Sequence, residues 1–167
     1  MNKVMIVLLL VLFFSISACK TDVIESNIQS DMQFVQIYFK YSFKNKLDTF
    51  EKTYQKDLIR DGVIKVFFWL TIEEQNKILQ KVNETKFFDL PEYFPRVSNP
   101  RIRPDAGEQV LRIRHMQQDK TIKWFSFPLD EDNLELNHVK ELAAFIQIII
   151  ENKLEYKKLP PSNGGYM

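Results

Sequence analysis

Asp61-Gly62-Val63-Ile64-Lys65-Val66-Phe67-Phe68-Trp69-Leu70-Thr71-Ile72-Glu73-Glu74 carries a turn, a strand and a helix start in immediate succession. Asp-Gly suits backbone of positive φ and is the strongest short hairpin signal in the chain. Val63 to Leu70 is rich in β-branched and aromatic residues and reads as a strand. Thr71 and Glu74 then fit a capping box: the threonine hydroxyl accepts from the backbone N–H three residues on, and the glutamate reaches back. Ile72, Ile78, Leu79 and Val82 give the following helix an apolar stripe that ends near Lys86.

Working outward, Val35, Ile37, Phe39 and Tyr41 alternate with more polar residues from Phe34 to Tyr41, which predicts a strand. Phe43 to Leu47 suits a loop. Asp48 to Arg60 admits two readings. Leu47, Phe50, Tyr54 and Leu58 fall at helix-like intervals, while Phe50, Lys52, Tyr54, Lys56 and Leu58 share one strand face. Thr49, Thr53 and Tyr54 favour extended structure, so a strand is expected. Downstream, Phe87 to Phe94 turns the chain, with Pro91 and Pro95 as stops. Pro95 to Gly107, with three prolines and no periodicity, is the longest expected loop. Val110 to Met116 and Thr121 to Phe127 read as a second hairpin joined through Gln118-Asp119-Lys120. Leu111, Ile113 and His115 share one face of its first strand, and Ile122 and Trp124 one face of its second.

Leu134 to Leu154 reads as the longest helix. Leu136, Val139, Ala143, Ile146 and Ile150 form its stripe, widened by Leu142, Phe145 and Ile149. So broad an apolar face suits a helix packed across a sheet. The expected architecture over residues 31–167 is a single α+β domain, an antiparallel sheet of four or five strands packed against two helices.

The N-terminal segment has a different character. Lys3 precedes an unbroken apolar run from Val4 to Phe14, followed by Ser15 and Ile16-Ser17-Ala18-Cys19. A charged n-region, an apolar h-region and small residues before a cleavage point describe a signal peptide. The run is about half the ~20 residues needed to cross a hydrocarbon core. Cys19 is the chain's only cysteine. The arrangement resembles the lipobox of bacterial lipoproteins, in which the thiol is alkylated with diacylglycerol and becomes the mature N-terminus. Residues 1–18 are then a lipoprotein signal peptide and 19–30 a lipidated tether. The implied address is the cell envelope, anchored to the membrane by lipid on its exported side. Two acyl chains hold a protein stably where one holds it marginally. With no second thiol the domain has no disulfide, so its stability must come from a core. Fourteen Phe, six Tyr and two Trp supply the area for one.

The leader carries Lys3 and no acid. Of 23 basic and 22 acidic residues, the remainder therefore keeps 22 of each and a formal charge of zero. Nothing global draws it to nucleic acid. Four glycines leave little material for phosphate-binding loops, and Ser42, Ser98 and Ser126 lack a nucleophile elbow. His115 and His138 stand far apart in sequence. Asp130-Glu131-Asp132-Asn133 with Glu135 suits a helix cap better than a calcium loop. No catalytic residue, cofactor or metal is expected.

Arg112 and Arg114, on one strand face, are candidates for an anion-binding patch within a stretch that also holds Arg96, Arg101, Arg103, Lys120 and Lys123; Asp105, Glu108 and Asp119 dilute it, and a solvated sheet face is the other reading. Tyr54, Lys56 and Asp57, near Arg60, read either as a partner surface or as an edge strand kept soluble by charge. With Trp124, the residues Tyr54, Lys56, Asp57, Arg112 and Arg114 make up the candidate binding surface.

Lys44-Asn45-Lys46-Leu47-Asp48-Thr49-Phe50, Thr53 to Leu58, Leu70 to Glu74, Glu155-Tyr156-Lys157-Lys158-Leu159-Pro160 and Gly164-Gly165-Tyr166 together resemble a family of small bacterial lipoproteins. That family has no established activity. The resemblance therefore implies a lipid-anchored envelope domain without catalytic residues, and a docked C-terminal segment where Pro160 to Met167 alone reads as a frayed tail. The expected function is a non-enzymatic binding module for an envelope protein or polymer. Its rivals are an inhibitor or immunity protein against an exported toxin or hydrolase, and a hydrolase with dispersed carboxylates.

Overall fold

Ile37, Phe39 and Tyr41 are buried, and Gln36, Tyr38 and Lys40 between them are only half-buried. This is the period-two pattern of a strand with one face on a core. The computed structural model describes residues 34–95, 107–125 and 132–166. Cys19, the leader and tether, Ser98, Ser126, Asp130, Glu131, and Arg96, Arg101 and Arg103 of the proline-rich loop lie outside the described residues. Val35–Met167 forms one compact unit. Its strands are β1 (Gln36–Tyr41), β2 (Asn45–Asp48), β3 (Thr53–Ile59), β4 (Gly62–Phe67), β5 (Glu108–His115) and β6 (Gln118–Phe125). Its helices are α1 (Ile72–Glu84), α2 (Leu134–Asn152) and the short α3 (Leu154–Lys157).

The domain is α+β, as expected: one antiparallel sheet in the order β4-β3-β2-β1-β5-β6, with two main helices. Six strands exceed the four or five expected because β2 occupies part of the predicted loop from Phe43 to Leu47. Asn-Lys-Leu-Asp is a poor strand sequence by propensity. It is extended because both of its edges are paired, to β1 and to β3. Leu47 and Tyr54 are direct cross-strand partners. Their helix-like spacing in sequence is the span of a hairpin.

The β3–β4 hairpin turns through Arg60-Asp61, with Gly62 at φ +80°. The second hairpin turns at Met116-Gln117, two residues before the expected Gln118-Asp119-Lys120, and His115 pairs with Gln118. Met116 takes φ +52° there. Full pairing of β5 with β6 outweighs the better turn chemistry of the later tripeptide.

The capping box of α1 forms as read: Glu74 N–H donates to Thr71 Oγ1 and Thr71 N–H to Glu74 Oε2. Ile78 and Val82 are buried, but Ile72 is exposed, at the entry turn rather than on the stripe. Asn133 caps α2, accepting from Leu136 N–H at 2.9 Å. Leu136, Val139, Leu142, Ala143, Ile146 and Ile150 face the core, and Phe145 and Ile149 are partly buried against it.

An aromatic seam crosses the sheet beneath the helices. Trp124 stacks towards Phe39 at 6.4 Å, Phe39 stacks on Tyr41 at 4.7 Å, and Tyr54 packs against Phe68 at 5.5 Å. The Tyr41 and Tyr54 hydroxyls share a buried hydrogen bond of 2.7 Å. Burial raises both phenols above their usual range. A folded pKa raised above the unfolded value leaves stability intact below about pH 10 and removes it as pH climbs further. Tyrosinate absorbance from these two residues should therefore appear only with loss of the circular dichroism of the fold. In Tyr41→Phe/Tyr54→Phe the alkaline unfolding midpoint should rise. An unchanged midpoint would disprove the coupling.

Candidate functional site

Paired residues share a sheet face, so the register divides the candidate surface. Phe39 pairs with Leu111, Leu111 with Ile122 and Leu47 with Tyr54, which defines the face under the helices. Tyr54 and Trp124 lie on it, at 0% and 2% exposure. These two are core residues and no part of a binding surface. Each carries a large ring whose burial is worth a few kcal/mol, and the strands bearing them have one face against the helices.

Lys56 and Asp57 are also buried, at 8% and 4% exposure. The expectation of an edge strand is corrected here: β3 lies between β2 and β4. Lys56 Nζ sits 4.6 Å from the Tyr156 ring centroid, beneath α3. Asp57 lies on the opposite face and is held by the C-terminal segment. Its carbonyl accepts from Ser162 Oγ at 2.6 Å and its carboxylate from the Tyr166 hydroxyl. That last bond is the chief reason the Tyr166 pKa is pushed up to about 12. Asp57 N–H donates to Asn45 Oδ1.

Beyond the β2 pairing, the backbone of Leu58 and Arg60 bonds to Asn163, and Ile59 and Asn163 form a parallel bridge. The Tyr166 ring packs on Phe43 at 4.0 Å. The docked segment suggested by the resemblance is therefore present, and it continues the sheet where β2 is too short to do so. Gly164 adopts φ +100°, and a β-carbon there would lie 2.9 Å from Arg60 Nε. Gly164→Ala should speed amide exchange at Arg60 and Asn163 without altering exchange in β1 or β5. Unchanged exchange at those two amides would contradict the docking.

Arg112 and Arg114 do share the uncovered face. Asp119, paired with Arg114, takes a bidentate contact from Arg112 at 2.8 and 2.7 Å, and Arg114 Nε donates to it at 3.0 Å. Phe50, from the turn between β2 and β3, lies 4.9 and 5.0 Å from the two guanidinium carbons. Arg114 also reaches Gln36. Nearby, Lys46 Nζ lies 5.6 Å from the Tyr38 ring centroid and 4.0 Å from Asp48 Oδ2. Burial, with the Asp48 charge second, raises the Tyr38 pKa. The expected arginine anion patch is thus occupied by the protein's own carboxylate.

Sequence reading counted Asp119 only as a charge diluting the basic stretch, and missed Phe50 altogether. Placing the turn at Gln118-Asp119-Lys120 removed Asp119 from the strand. Nothing local shows that Phe50 folds over arginines more than sixty positions away. His138 is exposed on α2, and His115, at the end of β5, has a buried Nδ1 with no hydrogen-bond partner among the described residues. No group of three or more His, Cys, Asp or Glu suited to a metal occurs among the described residues. No helix among them is long and apolar enough to cross a membrane. No known protein family matches the chain, and no curated protein matches it as a relative.

The two guanidinium groups, the Arg112 contact foremost, hold the Asp119 carboxyl down at about 2. A depressed folded pKa gives stability that is present above the unfolded value near 3.9 and lost as pH falls towards 2. The Asp119 side chain is 36% exposed, so solvent screening limits the effect. Asp119→Asn should cost about 0.5–1 kcal/mol at pH 7, and the difference should shrink by pH 3 in urea unfolding. A cost that grows in acid would refute the assignment.

Proposed function

We propose that the chain is a lipid-anchored protein of the cell envelope, held by acylated Cys19 and working as a non-enzymatic binding module. Cys19 carries this reading: the only thiol of the chain directly follows a charged start, an apolar run and Ser17-Ala18. The binding role is supported by the asymmetry of the sheet. One face is filled by Ile78 and Val82 of α1 and the stripe of α2. The other carries charged and aromatic side chains, with no helix over it among the described residues. The buried phenols of Tyr41 and Tyr54 bond to each other, which suits a structural role in the core.

Such a module needs a tether and a ligand surface, and its affinity gains from confinement near the envelope, where tethering raises the effective ligand concentration. Cys19→Ser should abolish incorporation of labelled palmitate and leave unprocessed or released protein. Unchanged membrane retention without label would overturn the anchor. So would native protein with a free thiol at that position.

A further inference from the structure

We propose that the uncovered sheet face binds a linear polyanion, specifically a polyol-phosphate polymer whose base-free units are joined by phosphodiesters, along a row of lysines that crosses the strands. The row is created by register. Lys65 of β4 pairs with Gln55 of β3, Gln55 with Lys46 of β2, and Lys46 with Lys40 of β1. Lys40 pairs with Val110 of β5, and Val110 with Lys123 of β6. Paired residues point to the same side, and Lys40 lies between the inward-facing Phe39 and Tyr41. All six positions therefore stand on the uncovered face, one on each strand. The line spans about five strand spacings, or ~24 Å, with positive charges separated by one or two spacings of ~4.8 Å.

No acid interrupts the line. Lys65 and Lys123 are exposed, Lys40 and Lys46 half-buried, and Lys40, Lys65 and Lys123 have no ion-pair partner among the described residues. Lys46 has only the 4.0 Å approach to Asp48. Gln55 turns its amide to the Lys44 carbonyl at 2.9 Å. Like charges directly opposite one another across strands are destabilising, and Lys40 faces Lys46 in that way. A cationic line in which three of the four lysines have no ion-pair partner among the described residues is complementary to a chain whose negative charges also recur in a line. Lysine ammonium groups bind phosphate as point charges, with no need for the fixed fork geometry of arginine. The nearby arginines are held by Asp119, so the lysines are the groups left for a ligand.

This inference rests on reading the chain as a binding module, but it does not depend on the acyl anchor, and the two fail separately. Full-length protein in neutral detergent is titrated with polyglycerol phosphate at several salt concentrations. Binding should weaken with salt. In the variant Lys40→Gln/Lys46→Gln/Lys65→Gln/Lys123→Gln it should fall at least about tenfold, and the log–log salt slope should flatten by roughly 0.7–0.9 per lysine removed if each neutralises one phosphate. Lys65→Gln/Lys123→Gln, confined to exposed positions, should show about half the slope change. Arginine at all four positions should preserve binding.

The control Lys77→Gln/Lys86→Gln/Lys157→Gln/Lys158→Gln removes the same charge from exposed positions off this face and should bind as the unaltered chain does. Equal loss in that control, or no binding by the unaltered chain, would overturn the proposal. Tighter binding of polyglutamate, single-stranded DNA or phosphatidylglycerol vesicles would overturn it in favour of a peptide, nucleic acid or lipid ligand. Retained polymer binding by Cys19→Ser without its lipid label is expected. Loss of polymer binding by that variant in detergent would count against a site on the sheet.

Discussion

The aromatic seam beneath the helices is the contact on which the remaining structure depends. Trp124, Phe39, Tyr41, Tyr54 and Phe68 come from β6, β1, β3 and the residue just after β4, so one line of rings ties both halves of the sheet together. The phenol–phenol bond of Tyr41 and Tyr54 satisfies two polar groups that would otherwise be costly to bury. A sheet held this firmly from one side needs no second layer. Away from the C-terminal segment that covers Asp57, its other face carries charge.

A second constraint is the shortness of β2. Four residues suffice to place Leu47 in the core opposite Phe39 and Tyr54, but they leave the far end of β3 without a backbone partner. Asn163 supplies the missing hydrogen bonds, while Ser162 and Tyr166 hold Asp57. Lys56 and Asp57 therefore serve the closure of the fold, which explains why charged residues in this segment are covered. At the opposite edge, the backbone around Glu92 to Phe94 bonds to Lys123 of β6. That bonding protects one side of the sheet and leaves the Lys123 side chain exposed on the uncovered face.

On that face, two chemistries lie side by side. Arg112, Arg114, Asp119 and Phe50 form a group that is internally balanced, with cations matched to a carboxylate and stacked on a ring. The lysine line is unbalanced. Arginine pairs well in a planar, bidentate setting and so is readily satisfied by its own protein. Lysine on a flexible stem stays hydrated and exchangeable. The difference separates groups that stabilise this face from groups that can engage something else.

Local pattern alone determined much of the molecule. The alternation of Val35 to Tyr41, the Thr71–Glu74 cap and the stripe of α2 each depend on interactions within a few residues, and each stands where the pattern put it; the hairpin signalled by Asp61-Gly62 forms too, with its turn one residue earlier at Arg60-Asp61. The proposed leader, residues 1–18 before Cys19, rests on the same class of signal, being a matter of composition and adjacency. What needed the folded chain was pairing at a distance. β2 is a strand because two neighbours complete it, and the turn at Met116-Gln117 is chosen by the length of the ladder it closes. Tyr54 and Trp124 are core and Asp119 guards two arginines because register decides which side chains meet. A one-residue shift of register moves every side chain to the other face. Four lysines scattered from position 40 to position 123 therefore become a line only when six strands lie in order.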